Sequence, residues 1–259
     1  MDVLTGSAEP WLLATYQPVA LFSLKSALAT SSGGKTVLVP TPFSIKMALL
    51  DAALRLLGVE QGQRVFPLVR DLHIALRVPQ SLVVINSFGK VRRPWEAPKQ
   101  KGADRAAAEE RARSRATFPW NTTIAYREYV QFGGPLHFAF DLPTNPDVAL
   151  PIEPSALLSC INYLGRRGGF VQLAEPPTLV EGLPDGYRVL TDEAPSGYAD
   201  GWLLQVLDDC GPTLTFEQAN IYSTEKITLG KGRVLRHVPL PLRLVRSSRG
   251  FSLYERIDA

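Results

Sequence analysis

The chain has 259 residues, of which 45% are hydrophobic and 20% charged. That is enough apolar material for a sizeable core, and it excludes a wholly disordered polypeptide. Its 28 Lys+Arg against 25 Asp+Glu leave a net charge of only +3, so any attraction to polyanions must come from how charge is distributed.

In chain order, Trp11–Tyr16 and Val19–Phe22 read as a strand interrupted at Pro18. Residues 25–34 form a connection, and Thr36–Val39 is a second extended piece. A helix follows. Thr41 suits the N-cap, and Pro42 suits the first turn, where its missing N–H costs nothing. Phe43, Met47, Leu50, Leu54 and Leu57 make one apolar stripe, and Gly58 is expected to end the helix. Strands are expected at Leu72–Val78 and Leu82–Asn86.

Residues 89–117 carry nine basic and four acidic side chains, net +5, with almost no large aliphatics. This segment is an insertion too charged for a core, read as a hairpin with a helical or mobile tip. Order resumes with strands at Thr122–Val130 and Leu136–Leu142, a helix over Ser155–Gly165 and a strand from Phe170. The sequence of elements up to about residue 174 is βαββαβ, so the predicted fold class is α+β, ferredoxin-like, with a β-rich C-terminal part. The expected boundaries are 1–175 and 176–259. Within the second part, strands are expected at Trp202–Leu207, Arg233–Val238, Leu242–Val245 and Phe251–Arg256.

Cys160 and Cys210 stand fifty residues apart with no CxxC pair, which suits a reducing cytoplasm. The N-terminus lacks the basic region of a signal peptide, and no apolar run approaches the ~18 residues of a membrane span. A cytoplasmic protein without a membrane partner is expected.

Four chemistries compete. Ala29 to Thr36 is a relaxed phosphate-loop pattern, but a working loop needs a helix beginning at its Lys-Thr. Here Lys35-Thr36 leads into Val37-Leu38-Val39-Pro40, so a nucleotide-hydrolysing enzyme is the distant alternative. His73, His137 and His237 are isolated, with no metal-ligand spacing. Gly230-Lys231-Gly232 lacks the third glycine of a dinucleotide fingerprint.

What remains is basic charge with aromatics. Lys226, Lys231, Arg233, Arg236, Arg243, Arg246 and Arg249 fall in a stretch without an acid, and His237 lies among them. Arg92, Arg93 and Trp95 belong to the basic insertion, with Trp120 just beyond it. Arginines and lysines would hold phosphates, and the tryptophans would stack bases or pack on a neighbouring strand. Lys46 lies roughly 60° from the centre of the apolar stripe. It must snorkel to the helix edge or meet an anion, with an RNA phosphate as the sharper alternative.

Three segments then carry a family resemblance: Val39–Ala52 (VPTPFSIKMALLDA), Tyr126–Val130 (YREYV) and Asn162–Phe170 (NYLGRRGGF). In this order they resemble the CRISPR-associated RAMP proteins, and among these the Cas-five branch of type I Cascade complexes. The resemblance spans about residues 12–175. The glycine-rich loop of RAMP proteins is matched in part by Leu229-Gly230-Lys231-Gly232.

The resemblance implies a non-catalytic subunit that caps the 5′ handle of crRNA. A thumb-like insertion, Lys90–Arg115, would reach toward the Cascade backbone subunit. Contacts with the large subunit and with target DNA near the protospacer-adjacent motif are implied as well. It implies no metal or cofactor, and it places Lys46, Arg127 and the 226–249 run on RNA. Some relatives cut precursor crRNA with metal-independent acid–base groups, a role open here to Tyr222, Lys226 and His237.

Overall fold

The structure, a computed structural model, describes residues 10–26, 34–97, 102–141, 152–192 and 200–257. The chain opens with β1 (Pro10–Pro18), α1 (Pro42–Asp71) and β2 (Ile74–Arg77). A long hairpin follows, β3 (Ser81–Pro94) and β4 (Trp120–Phe132), with α2 (Ala103–Arg113) between its arms. Next come β5 (Leu136–Asp141), the short α3 (Pro154–Ser159) and β6 (Val171–Leu173). The remainder is β7 (Thr178–Glu181), β8 (Arg188–Val189), β9 (Leu203–Cys210), α4 (Phe216–Ala219), β10 (Arg233–Leu240), β11 (Leu242–Ser247) and β12 (Phe251–Arg256). The chain is thus mixed α and β, rich in antiparallel sheet. No helix among the described residues is long and apolar enough to cross a membrane.

The first sheet has the order β6-β1-β5-β2-β8, with β7 also paired to β1. Alternation along its strands sends Leu12, Ala14 and Tyr16 of β1 to one face, with Leu136, Phe138 and Phe140 of β5. Tyr16 meets Phe138 edge-on at 6.0 Å. Its hydroxyl donates to the Leu158 carbonyl at 2.7 Å, which ties α3 to this face. Burial pushes the Tyr16 phenol well above its ordinary range, with the nearby Cys160 adding to the effect.

Helix α1 starts as expected: Thr41 accepts from the Ser44 amide at 3.2 Å and Pro42 opens the first turn. Gly58 breaks the helix without ending it. Its φ of +76° turns the chain, and helical geometry resumes to Asp71. The second half docks through Phe66, whose ring lies 5.9 Å from that of Phe216.

The buried face of α1 differs from the predicted stripe. Ile45, Leu49, Ala52 and Ala53 are buried together with Leu50 of the stripe, whereas Phe43, Met47, Leu54 and Leu57 are only partly so. At about 100° per residue the buried arc is rotated by roughly 120° from the stripe and covers more than half the circumference. The added coverage comes from β9, which packs against α1. Lys46 therefore lies within the buried arc, 2% exposed.

The charged insertion is a continuation of the hairpin. The β3–β4 register runs unbroken from Leu82↔Phe132 at the base to Pro94↔Trp120. Leu82, Val84, Val130 and Phe132 bury the base, and farther out Phe88 is 67% and Ile124 73% exposed. Beyond the base no strand among the described residues pairs with the hairpin, which fits its polar sequence.

Two expectations are corrected. The second helix stops at Ser159, and Tyr163 instead bridges to Phe170 across a glycine turn. The 176–259 segment does not stand apart. Strands β7 and β8 join the first sheet, and β12 pairs with β3 in a second sheet of order β11-β12-β3-β4. A third element is the β9–β10 ribbon beside α1.

Candidate nucleic-acid interface

After β1, Phe22 and Gly34 lie along the side of β4 away from β3. Phe22 exchanges backbone hydrogen bonds with Val130, and the Gly34 carbonyl accepts from the Glu128 amide at 2.8 Å. Gly34 lies so close that a Cβ there would stand 2.1 Å from the Tyr126 carbonyl oxygen. Only glycine fits.

Glu128 closes this seam. It is 5% exposed and takes three donors: Lys35 Nζ at 2.8 Å, the Tyr126 hydroxyl at 2.7 Å and the Thr36 amide at 2.9 Å. Burial pushes its carboxyl up, but the bonds from Lys35, Tyr126 and Thr36, with the Lys35 charge, outweigh burial and leave it below the ordinary carboxylate range. The same pairing holds Lys35 above its usual value.

This arrangement overturns the phosphate-loop geometry. The Lys35 ammonium and Thr36 amide, which a nucleotide phosphate would need, both bind Glu128, and α1 begins only at Pro42. The Ala29–Gly33 part of that pattern lies outside the described residues.

Beside the seam lies a cleft of about 260 Å³ that gathers Lys25, Arg93, Arg127 and Arg166. It shares Ser23, Lys25 and Arg166 with a larger cleft of about 500 Å³. The larger one is walled by Phe43, Ser44 and Met47 of α1, by Tyr163 and by Arg233 of β10. Together they make one furrow between the hairpin and the start of α1.

The 163–170 turn bounds it. Gly165, at φ +73°, comes so near Leu24 that a Cβ would stand 3.3 Å from its Cδ2. The turn thereby brings Arg166 to both clefts.

Of two adjacent buried acids, Asp208 lines the larger cleft and Asp209 does not. Asp208 and Asp209 of β9 are 3% and 1% exposed. Asp208 takes Arg233 through both Nε, at 2.7 Å, and Nη2. The Arg233 guanidinium lies 4.2 Å over the Phe43 ring. Asp209 takes Lys46 Nζ at 2.7 Å and the Cys210 amide at 2.7 Å, with Arg236 Nε at 3.5 Å.

Lys46 must accordingly be removed from the RNA-facing set, and it does not snorkel. Its charge is spent on Asp209 inside the fold. Arg236 is half-buried toward the same acid.

Of the other expected residues, Arg93, Arg127 and Arg233 line the furrow. Arg92 is exposed but next to Arg93 on β3, so the pleat sends it to the opposite face. Trp95 is half-buried, its ring 6.3 Å from that of Phe118, and Trp120 is 45% exposed opposite Pro94. Both sit far out on the hairpin. Lys226 and Lys231 are exposed on the segment before β10. His237 is exposed on β10, and Arg243 is exposed on β11, 4.0 Å from Glu255. Tyr222 is 90% exposed. Neither it, Lys226 nor His237 lines the furrow.

Sequence reasoning missed Lys25 and Arg166. Lys25 looked like part of a connection, and Arg166 was read only as part of a resemblance. Among the described residues no group of three or more His, Cys, Asp or Glu is placed to hold a metal ion.

Against known proteins, no family model matches the chain. Over 220 residues it is 24% identical to CRISPR-associated protein Cas5 of Archaeoglobus fulgidus, covering 82% of this chain and 85% of that protein. The chain is similar to a Cas5 protein. The resemblance carried by Val39–Ala52, Tyr126–Val130 and Asn162–Phe170 thus agrees with a similarity spread over most of the chain. A crystal structure of a CRISPR protein from Archaeoglobus fulgidus aligns with 96% of this chain and 92% of its own, at 16% identity and a TM-score of 0.44.

Proposed function

We propose that the chain is a non-catalytic RNA-binding subunit of a CRISPR effector complex, of the Cascade type, that holds the 5′ handle of crRNA in the furrow between its hairpin and α1. The observation that carries this reading is the convergence of Lys25, Arg93, Arg127, Arg166 and Arg233 from four separate parts of the chain. A surface that merely needs solubility has no reason to bring five cations into one groove. A single-stranded polyanion lying there releases counterions at each contact.

The Cas5-like sequence favours crRNA as that polyanion. A ferredoxin-like frame is supported by the order β6-β1-β5-β2 and by the two strand–helix–strand units, β1-α1-β2 and β5-α3-β6. On that frame the β3–β4 hairpin is an outgrowth of the link between the second and third sheet strands. Its exposed Phe88 and Trp120 suit contact with a neighbouring backbone subunit, and the large subunit and target DNA would meet the chain beyond the furrow.

Fluorescence anisotropy with single-stranded RNA carrying a repeat-derived 5′ end tests this. Affinity should fall with log salt at about −0.7 per phosphate contacted. Arg127→Glu with Arg166→Glu should weaken binding about 30- to 700-fold, by about 1–2 kcal/mol per reversed contact. RNA incubated in EDTA should stay intact. Equal affinity of the double variant and the wild type would sink the reading.

A further inference from the structure

Asp208 is a buried acid beside a groove lined by cations. Its side chain is 3% exposed and its partner is Arg233, gripped through Nε and Nη2. Arg233 is also stacked, its guanidinium carbon 4.2 Å from the Phe43 ring centre. One edge and one face of the guanidinium are therefore fixed, while a third of the side chain, 34%, stays exposed and lines the larger cleft. The Nη1 nitrogen is not used by Asp208, so it retains donors for a ligand.

The neighbouring residue has a different task. Asp209 draws Lys46 and the Cys210 amide and is 2% exposed at its side chain. The two acids thus divide their work: Asp209 binds the helix to the ribbon, and Asp208 serves one arginine.

A free arginine loses part of its rotamer freedom whenever it grips a phosphate. An arginine already clamped by an acid and an aromatic ring has lost that freedom on folding. We propose that Asp208 is a positioning residue for RNA binding, holding Arg233 flat on Phe43 so that its free edge meets the RNA in a preset orientation. This rests on the RNA-binding reading above.

The idea makes a prediction of opposite sign to simple electrostatics. Removing a negative charge beside a phosphate site should tighten binding if charge alone mattered. If Asp208 positions Arg233, Asp208→Asn should instead weaken RNA binding about three- to tenfold, the ordering cost of one such side chain. Asp208→Glu should recover part of the loss. Phe43→Leu should weaken binding too, and less than additively with Asp208→Asn, because both hold the same guanidinium.

The experiment is RNA anisotropy on the full chain at several salt concentrations, with circular dichroism confirming the folded state. Should Asp208→Asn fail to fold, Arg233→Lys replaces it. That variant keeps the charge but cannot be gripped at two nitrogens, and it should show the same loss. Wild-type protein that binds no RNA would defeat the functional reading itself. Wild-type protein that binds while Asp208→Asn, or Arg233→Lys in its place, binds equally or more tightly would overturn the positioning role alone.

Discussion

Lys46 Nζ lies 2.7 Å from Asp209 Oδ1, and each side chain is 2% exposed, so this pair joins α1 to β9 inside the fold. Breaking a buried pair from one side leaves the other charge unpaired, at about 3–5 kcal/mol. Lys46→Met should therefore cost about 3 kcal/mol or more in urea unfolding. Lys46→Met combined with Asp209→Leu should recover much of the loss, since an apolar replacement of both removes the stranded charge. The salt dependence of RNA binding by folded Lys46→Met should match wild type, because Lys46 does not reach the furrow.

Glu128 ties stability to acid pH. Its carboxyl lies below the ordinary range in the folded chain, so it favours folding above the unfolded-state pKa. That contribution is lost as pH falls through the lowered folded value. Glu128→Gln should destabilise the chain near neutrality and flatten the fall in urea midpoint between about pH 7 and about pH 3. A midpoint curve parallel to wild type would contradict this.

Cys210 should be chemically silent. Burial pushes its thiol up to about 12; Lys46 pulls it down, but Asp209 and Asp208 add to the rise. Only the thiolate attacks an alkylating reagent. In a Cys160→Ser background near pH 8, maleimide labelling followed by mass spectrometry should be slower than for a free thiol by on the order of a thousandfold. Urea should restore the ordinary rate.

Gly34→Ala probes the seam along β4. The added methyl would meet the Tyr126 carbonyl oxygen at 2.1 Å, backbone against side chain. The segment must shift, at about 1–3 kcal/mol. RNA affinity should fall with stability, because Lys25 bridges to Thr36, two residues beyond Gly34. Unchanged stability would show that the segment yields freely.

The start of α1 was legible because capping is local: Thr41 and Pro42 announce it without reference to the rest of the chain. The hairpin was legible in part, from the alternation in Thr122–Val130 and the charge around it. The burial of Lys46 was not. Its partner is 163 residues away, and the true inner face of α1 relies on Ala52 and Ala53, which add little to a hydrophobic pattern. Large residues such as Phe43 and Met47 dominated the stripe, yet they face the furrow. The furrow itself was hidden for a similar reason. Lys25 and Arg166 become neighbours of Arg127 only through the close approach at Gly34 and the turn at Gly165.

The root of the hairpin depends on β12, which pairs with β3 from Phe251↔Ile85 to Glu255↔Ser81. The Asn86 side chain donates to the Arg249 carbonyl across 163 residues of sequence. During synthesis, β3 and β4 leave the ribosome long before β12 exists, and closing so distant a contact is slow. Until then Val83 and Ile85 line an unpaired strand edge, open to joining another chain. A nascent chain halted before residue 251 would present its hairpin with one side unguarded.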